Sequence, residues 1–424
     1  MDNEQEWWMS AKIYELYIDK FAKDIRGLTA HLDYFSRLGI NTLHLLPHYP
    51  SPMIDDGYDV TDYRGVRPEL GSLEDLRHLI DAAHEKGLRI ILDLVINHVS
   101  SLHPWFLEAR TSKDNPKRNY FLWSKTGEEL RDGINAFPGI KKSNWIKDPA
   151  TDEFYYATFY PEQPDLNWDN EAVVSGMLAN MDFLADLGAD GFRIDAAPHL
   201  IKREGTNSKG LPETHHLLKR IRAYLEKKHP GVILLAEAGA SMDELKKYFG
   251  NGDECHMAYH FPLMCAMWET LLFNDRTYVD KFVSSFADIP PGCQWATFLR
   301  NHDEIALTLL PSDIRREMVN LLDKKHEYLF NNGTTTAVRI ATALGGDRSK
   351  ILKAQELLYG LPGAPVCYYG DEIGMQNLPF RPGVIDTRIF VRGPFDWIAA
   401  ESQMNNDDSL FSQTARIIKR GKGL

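Results

Sequence analysis

Short apolar runs alternate with amphipathic stretches along most of this 424-residue chain. That rhythm predicts parallel strands joined by crossover helices. Strands are expected at Ile13 to Ile18, Asn41 to Leu46, Arg89 to Val95, Gly191 to Ile194, Val232 to Ala236, Ala296 to Leu299 and Ala364 to Tyr369. Helices are expected around Leu28 to Leu38, Leu73 to Lys86, Ala172 to Leu187 and Leu410 to Lys419. Leu217, Ile221 and Leu225 mark one face of another, at four-residue spacing. Ser72 can cap the helix that Gly87 ends. The run RIILDLV, Arg89 to Val95, is nearly continuous in apolar residues, as in a strand buried on both faces. The count comes to roughly eight strand–helix pairs, which favours a closed α/β barrel over an open sheet.

One region breaks the rhythm. Residues 100–168 are rich in aromatics, Lys, Asp and Pro, and weakly periodic. They read as a small subdomain inserted after the third strand. The expected organisation is therefore 1–99 as the first part of the barrel, 100–168 as the insert, and 169–424 as the second part. The stretch Pro311 to Leu344 has no clear periodicity.

Composition narrows the partners. A formal net charge of −12 disfavours phosphate backbones and anionic membrane surfaces. No 18-residue apolar run and no signal-peptide pattern are present, so a cytoplasmic enzyme is expected. The four cysteines, Cys255, Cys265, Cys293 and Cys367, form no CxxC pair and read as reduced core residues. No GxxxxGK[ST] or GxGxxG follows a strand, so neither a phosphate loop nor an organic cofactor is expected. A small uncharged substrate fits best.

In such a barrel, reacting groups stand at the C-terminal ends of different strands. The polar residues there are concentrated: Asp93, Asn97 and His98; Arg193 and Asp195; Glu237; and Arg300, Asn301, His302 and Asp303. Asp195, Glu237 and Asp303 would converge over one mouth. Cleaving an acetal needs two carboxyls in opposite protonation states. Arg193 and Asp195 alternate along a strand and share a face, so a guanidinium would hold Asp195 ionised. Glu237 follows the apolar run ILLA, a setting that favours a proton-carrying acid. On spacing alone, buried ion pairs that only tie the barrel together would fit as well.

These residues resemble the α-amylase superfamily, glycoside hydrolase family 13. The match rests on DLVINHVS (Asp93 to Ser100), GFRIDAAPH (Gly191 to His199), LLAEA (Leu234 to Ala238) and FLRNHDE (Phe298 to Glu304), in the family's order. Within it, the chain is similar to the trehalose synthase branch through YPSPMIDDGYDVTDY (Tyr49 to Tyr63), SNWIKDP (Ser143 to Pro149), QPDLNWDN (Gln163 to Asn170), REGTNSKGLPETH (Arg203 to His215) and YFGNGDECHMAYHFPLM (Tyr248 to Met264). VRGPFDW, Val391 to Trp397, is a looser likeness.

The resemblance implies a (β/α)8 barrel and a retaining α-glucoside-active enzyme, foremost one that interconverts maltose and trehalose. An α-glucosidase or amylase-type hydrolase is the alternative, and an inactive glucan-binding barrel a remote one. Asp195 would be nucleophile, Glu237 acid/base, and Asp303 a grip on sugar hydroxyls. His98 and His302 would bond the same sugar over a Tyr58 platform. Asp55 and Arg392 would pair to close the pocket's base, and Gln163 would lie near the acceptor. The resemblance also implies a structural calcium on the side chains of Asn97 and Asp165 and backbone oxygen near His199 and Leu200. Oxygen ligands suit Ca²⁺. Three departures qualify it. Lys202 stands where relatives carry an acid, and a cation there opposes calcium. YIDKFAKDIRGL, Tyr17 to Leu28, lacks the family's Asp-rich loop. The C-terminal β-sandwich of relatives is expected to be absent.

Overall fold

The computed structural model describes residues 4–421, so the extreme ends of the ranges 1–99 and 169–424 lie outside the described residues. Eight parallel strands close into a barrel, each pairing with its neighbours in chain order. They are β1 (Ile13–Leu16), β2 (Thr42–Leu45), β3 (Arg89–Leu94), β4 (Gly191–Ile194), β5 (Ile233–Ala236), β6 (Met257–Tyr259), β7 (Gln294–Phe298) and β8 (Ala364–Tyr368). The ring closes where Ile13 pairs with both Thr42 and Val366. Apart from Arg89, at the start of β3, every residue of these strands is buried, because barrel interior and helix layer cover both faces.

The helices form where the apolar stripe predicts them. Leu73–Glu85 buries Leu76, Leu79, Ile80 and Ala83 and starts at a capping box between Ser72 and Asp75. The expected helix at Leu28 to Leu38 is two, Ile25–Ala30 and Leu32–Leu38, hinged at His31. The first begins at Asp24, whose carboxylate accepts from the Gly27 amide at 2.7 Å.

β6 has no counterpart among the expected strands. It holds three residues, too few for a period to show, and lies inside the motif that runs from Tyr248 to Met264. The weakly periodic region contains the helix Pro104–Ala109 and a three-stranded antiparallel sheet of Trp123–Ser124, Glu153–Tyr156 and Trp145–Asp148. Its core is aromatic: Phe106 stacks on Trp123 and meets Tyr155 edge-on. Within 311–344 lie the helix Ser312–Leu322 and a hairpin of Leu329–Phe330 with Thr335–Thr336. The hairpin reaches across the mouth to the insert, where Asn331 donates to the Ala136 carbonyl at 3.1 Å and Phe330 meets Phe137 edge-on. All four cysteines are buried and unpaired. Among the described residues no helix is long and apolar enough to cross a membrane.

Candidate active site

The strand ends of the barrel floor a cavity of about 530 Å³, lined by Asp195, Glu237 and Asp303 together with Asp55, Tyr58 and His98. Arg193 anchors its centre. One nitrogen of the guanidinium lies 2.6 Å from Asp195 and 3.0 Å from Asp93, and the other lies 2.9 Å from Glu237. The sequence suggested a private pair with Asp195; instead one cation serves three carboxylates. Burial pushes the Asp195 carboxyl above its ordinary range, the Arg193 guanidinium pulls it back, and Glu237, Asp93 and Asp303 push it up again. One guanidinium cannot neutralise so many acids, so the Asp195 carboxyl stays above its ordinary range.

The turn after β4 completes the arrangement. Ala196 adopts a left-handed conformation, φ 48°, which a residue with a Cβ takes only at a cost. Its amide thereby donates to the second Glu237 oxygen at 2.9 Å.

A buried layer sits below. Tyr58 donates its hydroxyl to Asp93 at 2.8 Å and stacks on His302 with ring centroids 5.2 Å apart. His302 is held by Glu15, 3.0 Å from Nδ1, and faces the Tyr58 hydroxyl with Nε2 at 2.8 Å. His44 bridges Glu15 and Asp93 at 3.2 Å to each. Burial works against its charge, but the Asp93 and Glu15 hydrogen bonds hold its imidazole above the ordinary value. His98 contacts the Tyr58 carbonyl at 3.1 Å, and burial lowers its pKa to about 4, so it meets the cavity neutral.

The closed end differs from expectation. Asp55 and Arg392 are 3.9 Å apart at their nearest approach. Arg392 engages Asp56 at 2.7 Å and Asp303 at 2.9 Å instead. Asp55's direct partner is Arg388, at 2.9 Å. Arg388 also reaches Asp303 at 2.9 Å and Asp386 at 2.6 Å, with its guanidinium over the rings of Phe137 and Phe330. The insert, the hairpin and the C-terminal loop thus converge on one cation. Burial opposes the Asp303 charge, yet His302, Arg388 and Arg392 hold that carboxyl well below the usual range. Gln163 is fully buried behind Asp55, to which it donates at 3.2 Å, and so lies at the closed end rather than near the acceptor.

The expected calcium donors do converge, but on an ammonium. Lys202 Nζ is 2.8 Å from the Asn97 side-chain oxygen and 2.6 Å from Asp165, and it also donates to the His199 carbonyl. Asp165 is further bonded by the Thr158 amide and hydroxyl. Leu200 is buried in the following turn. With a cation among them, these oxygens do not fit a calcium ion.

Three contributors escaped the sequence reading. Arg388 lies 333 positions from Asp55, with no local signal. Glu304, directly after Asp303, lines the cavity, and burial beside Asp303 pushes its carboxyl up to about 7. Lys209 lines the wall beyond Glu237 and donates to the Gly239 carbonyl at 2.7 Å. Glu304 and Lys209 lay within motifs already noted, without a feature that marked them.

Residues 17–420 match the family described as the alpha amylase catalytic domain. The chain is 42% identical to the trehalose synthase/amylase of Mycobacterium tuberculosis, covering 92% of this chain and 66% of that protein. It is 42% identical to the trehalose synthase of Thermus thermophilus, with 92% and 40% covered. An oligo-1,6-glucosidase of Bacillus cereus is 32% identical, with 89% and 68% covered. The chain thus spans about two thirds or less of the length of these trehalose synthases. Among solved structures, an alpha-amylase from H. orenii aligns with TM-score 0.77 at 26% identity, over 96% of this chain and 81% of that one. The isomaltulose synthase from Klebsiella sp. LX3 aligns with TM-score 0.76 at 25% identity, over 97% and 84%.

Proposed function

The chain belongs to the α-amylase catalytic-domain family, and on that premise we propose that it transfers glucosyl units from short α-glucosides with retention, interconverting maltose and trehalose. The observation that carries this reading is the single Arg193 guanidinium bonded to both Asp195 and Glu237. One guanidinium's reach suits the roughly 5–5.5 Å carboxyl separation that retaining chemistry needs.

Glu237 gives its proton to the glycosidic oxygen while Asp195 attacks the anomeric carbon. The C–O bond to the leaving sugar breaks, and a glucosyl–Asp195 ester forms. The freed glucose turns and offers its anomeric hydroxyl. Glu237 takes that proton back, the new bond forms, and Asp195 leaves as carboxylate. Asp303, Arg388 and Asp55 grip the donor ring at the closed end, with Tyr58 and His98 beside it. Arg193 steadies both carboxyls, while Arg392 and Gln163 act through Asp303 and Asp55. A water in place of the turned glucose gives hydrolysis, and the junction of Phe137, Phe330 and Arg388 supports water exclusion.

Maltose followed by NMR tests this. Trehalose should appear before free glucose accumulates. Stoichiometric glucose with no trehalose at any time would make the chain an α-glucosidase.

Lys202 takes the structural part of calcium in this reading, tying Asn97 and Asp165 to the His199 turn, and no cofactor is required. The cytoplasm is the proposed compartment, in keeping with four buried, unpaired cysteines.

A further inference from the structure

Four consecutive strands each carry one ionisable side chain into a single buried layer: Glu15 from β1, His44 from β2, Asp93 from β3 and Arg193 from β4. Glu15 lies in register with His44, and Asp93 with Arg193. Acid and base thus alternate around the layer, and none of the four is more than 1% exposed.

His44 stands between the two acids, with Nδ1 3.2 Å from Glu15 and Nε2 3.2 Å from Asp93. A neutral imidazole has one N–H, so it would turn a lone pair on one of these carboxylates. Both acids are already engaged as acceptors. Glu15 accepts from the His302 amide at 2.8 Å and from the Tyr259 hydroxyl at 3.2 Å. Asp93 accepts from Tyr58 at 2.8 Å and from Arg193 on both oxygens, at 3.0 and 3.1 Å. Burial pushes both carboxyls up, but His302 and His44 bring Glu15 below its ordinary range, and Arg193 and His44 do the same for Asp93. Tyr259, from β6, also faces Nδ1 at 3.4 Å, and burial keeps its phenol neutral. A proton on each ring nitrogen satisfies all of these contacts.

The consequence falls on Arg193, whose guanidinium serves Asp93, Asp195 and Glu237 at once. A charged His44 offsets part of the Asp93 charge and leaves more of Arg193 for the two carboxyls at the cavity. Burial raises the Asp195 carboxyl, and Asp93 is among the acids that raise it further. An Asp93 without His44 would push harder, and a carboxyl that keeps its proton is a poor nucleophile.

We propose that His44 is a positioning residue for glycosyl transfer: a doubly protonated imidazolium beneath the cavity floor that offsets Asp93, so that Arg193 holds Asp195 ionised for attack. The proposal rests on the glucosyl-transfer reading above and adds the group that keeps its nucleophile ready. His44 touches neither sugar nor reacting atoms; it acts through Asp93 and Arg193.

Two measurements test this. NMR of protein carrying isotope-labelled histidine reads the ring directly, with the His44 signal assigned by its absence from His44→Gln or His44→Phe. Both nitrogens should still be protonated at about pH 8, where an ordinary imidazole is neutral. A ring with one bare nitrogen at that pH would overturn the proposal. The second measurement follows kcat/KM against pH with nitrophenyl α-glucoside, whose activated leaving group reports attack by Asp195 without requiring maltose. In His44→Gln the acid limb should move up by roughly half a pH unit or more, with the rate recovering on the alkaline side. A loss of equal size at every pH, with the limb unmoved, would mark a packing role and overturn the proposal. Wild-type turnover of the nitrophenyl glucoside with no trehalose from maltose would sink the interconversion reading alone. A wild-type chain inactive on both sugars would remove that reading and this proposal together.

Discussion

Lys202 holds its ammonium 2.6 Å from the carboxylate of Asp165, in the middle of oxygens that the resemblance assigns to calcium. Both members of the pair are buried. Removing one member of such a pair costs about 3–5 kcal/mol. Lys202→Ala should therefore lower the melting temperature by many degrees, whereas a chelator should leave the wild type unchanged. A wild-type melting curve that drops on chelation and recovers with Ca²⁺ would refute the assignment.

Arg388 joins Asp55, Asp303 and Asp386 at the closed end. Truncating one partner of a buried hydrogen-bonded charge pair costs about 2–5 kcal/mol. Arg388→Ala should reduce kcat/KM for maltose by at least a hundredfold. Arg388→Lys should recover little, because an ammonium cannot bridge three carboxylates in one plane. Steady-state kinetics on folded variants, checked by circular dichroism, decides this.

The two central carboxyls should separate by their partial reactions. Asp195→Asn should stop turnover by several orders of magnitude and leave no ester. Glu237→Gln should still form a glucosyl ester from an activated donor such as a glucosyl fluoride, which needs no acid. Intact-mass measurement would show one added glucosyl unit in the second variant alone. Equal adducts in both would remove Asp195 from the nucleophile position.

Glu304 has its carboxyl pushed up to about 7 by burial and by Asp303. It is thus neutral below that pH and charged above. A bound sugar buries it further and favours the neutral form. KM for maltose should rise as the pH passes upward through about 7, and Glu304→Gln should flatten that rise. An unchanged pH profile in the variant would rule the residue out.

Glu372 is fully buried, accepts hydroxyls from Tyr14 at 2.8 Å and Tyr34 at 2.5 Å, and has its carboxyl raised to about 7 by burial. A raised acid contributes stability that is complete below its unfolded value and lost as pH climbs through its folded one. The shift from 4.5 to about 7 corresponds to a contribution on the order of 3 kcal/mol. Relative to Glu372→Gln, the wild type should lose melting temperature between about pH 5 and pH 8. Parallel curves across that window would contradict the linkage.

Sequence patterns foretold the strands long enough to show themselves. RIILDLV and VILLA are apolar runs that only a doubly covered strand can bury, and both became barrel strands. β6 escaped because three residues carry no period, and the hinge at His31 because an apolar stripe runs on through a break in backbone geometry. The carboxyls at the strand ends were legible because a parallel barrel delivers every strand's C-terminal end to one face.

Asp195, Glu237 and Asp303 were thus determined as a cluster by local sequence and barrel topology alone. Which charges meet was not. Arg388 displaces Arg392 as the partner of Asp55, and Arg193 is shared among three carboxylates, because pairing follows distances of a few ångströms between segments hundreds of residues apart. Lys202 falls between: the sequence showed a cation at odds with calcium, and the fold alone put its nitrogen among the donors. Coulomb attraction and desolvation depend on separation and burial, and both are set by tertiary packing.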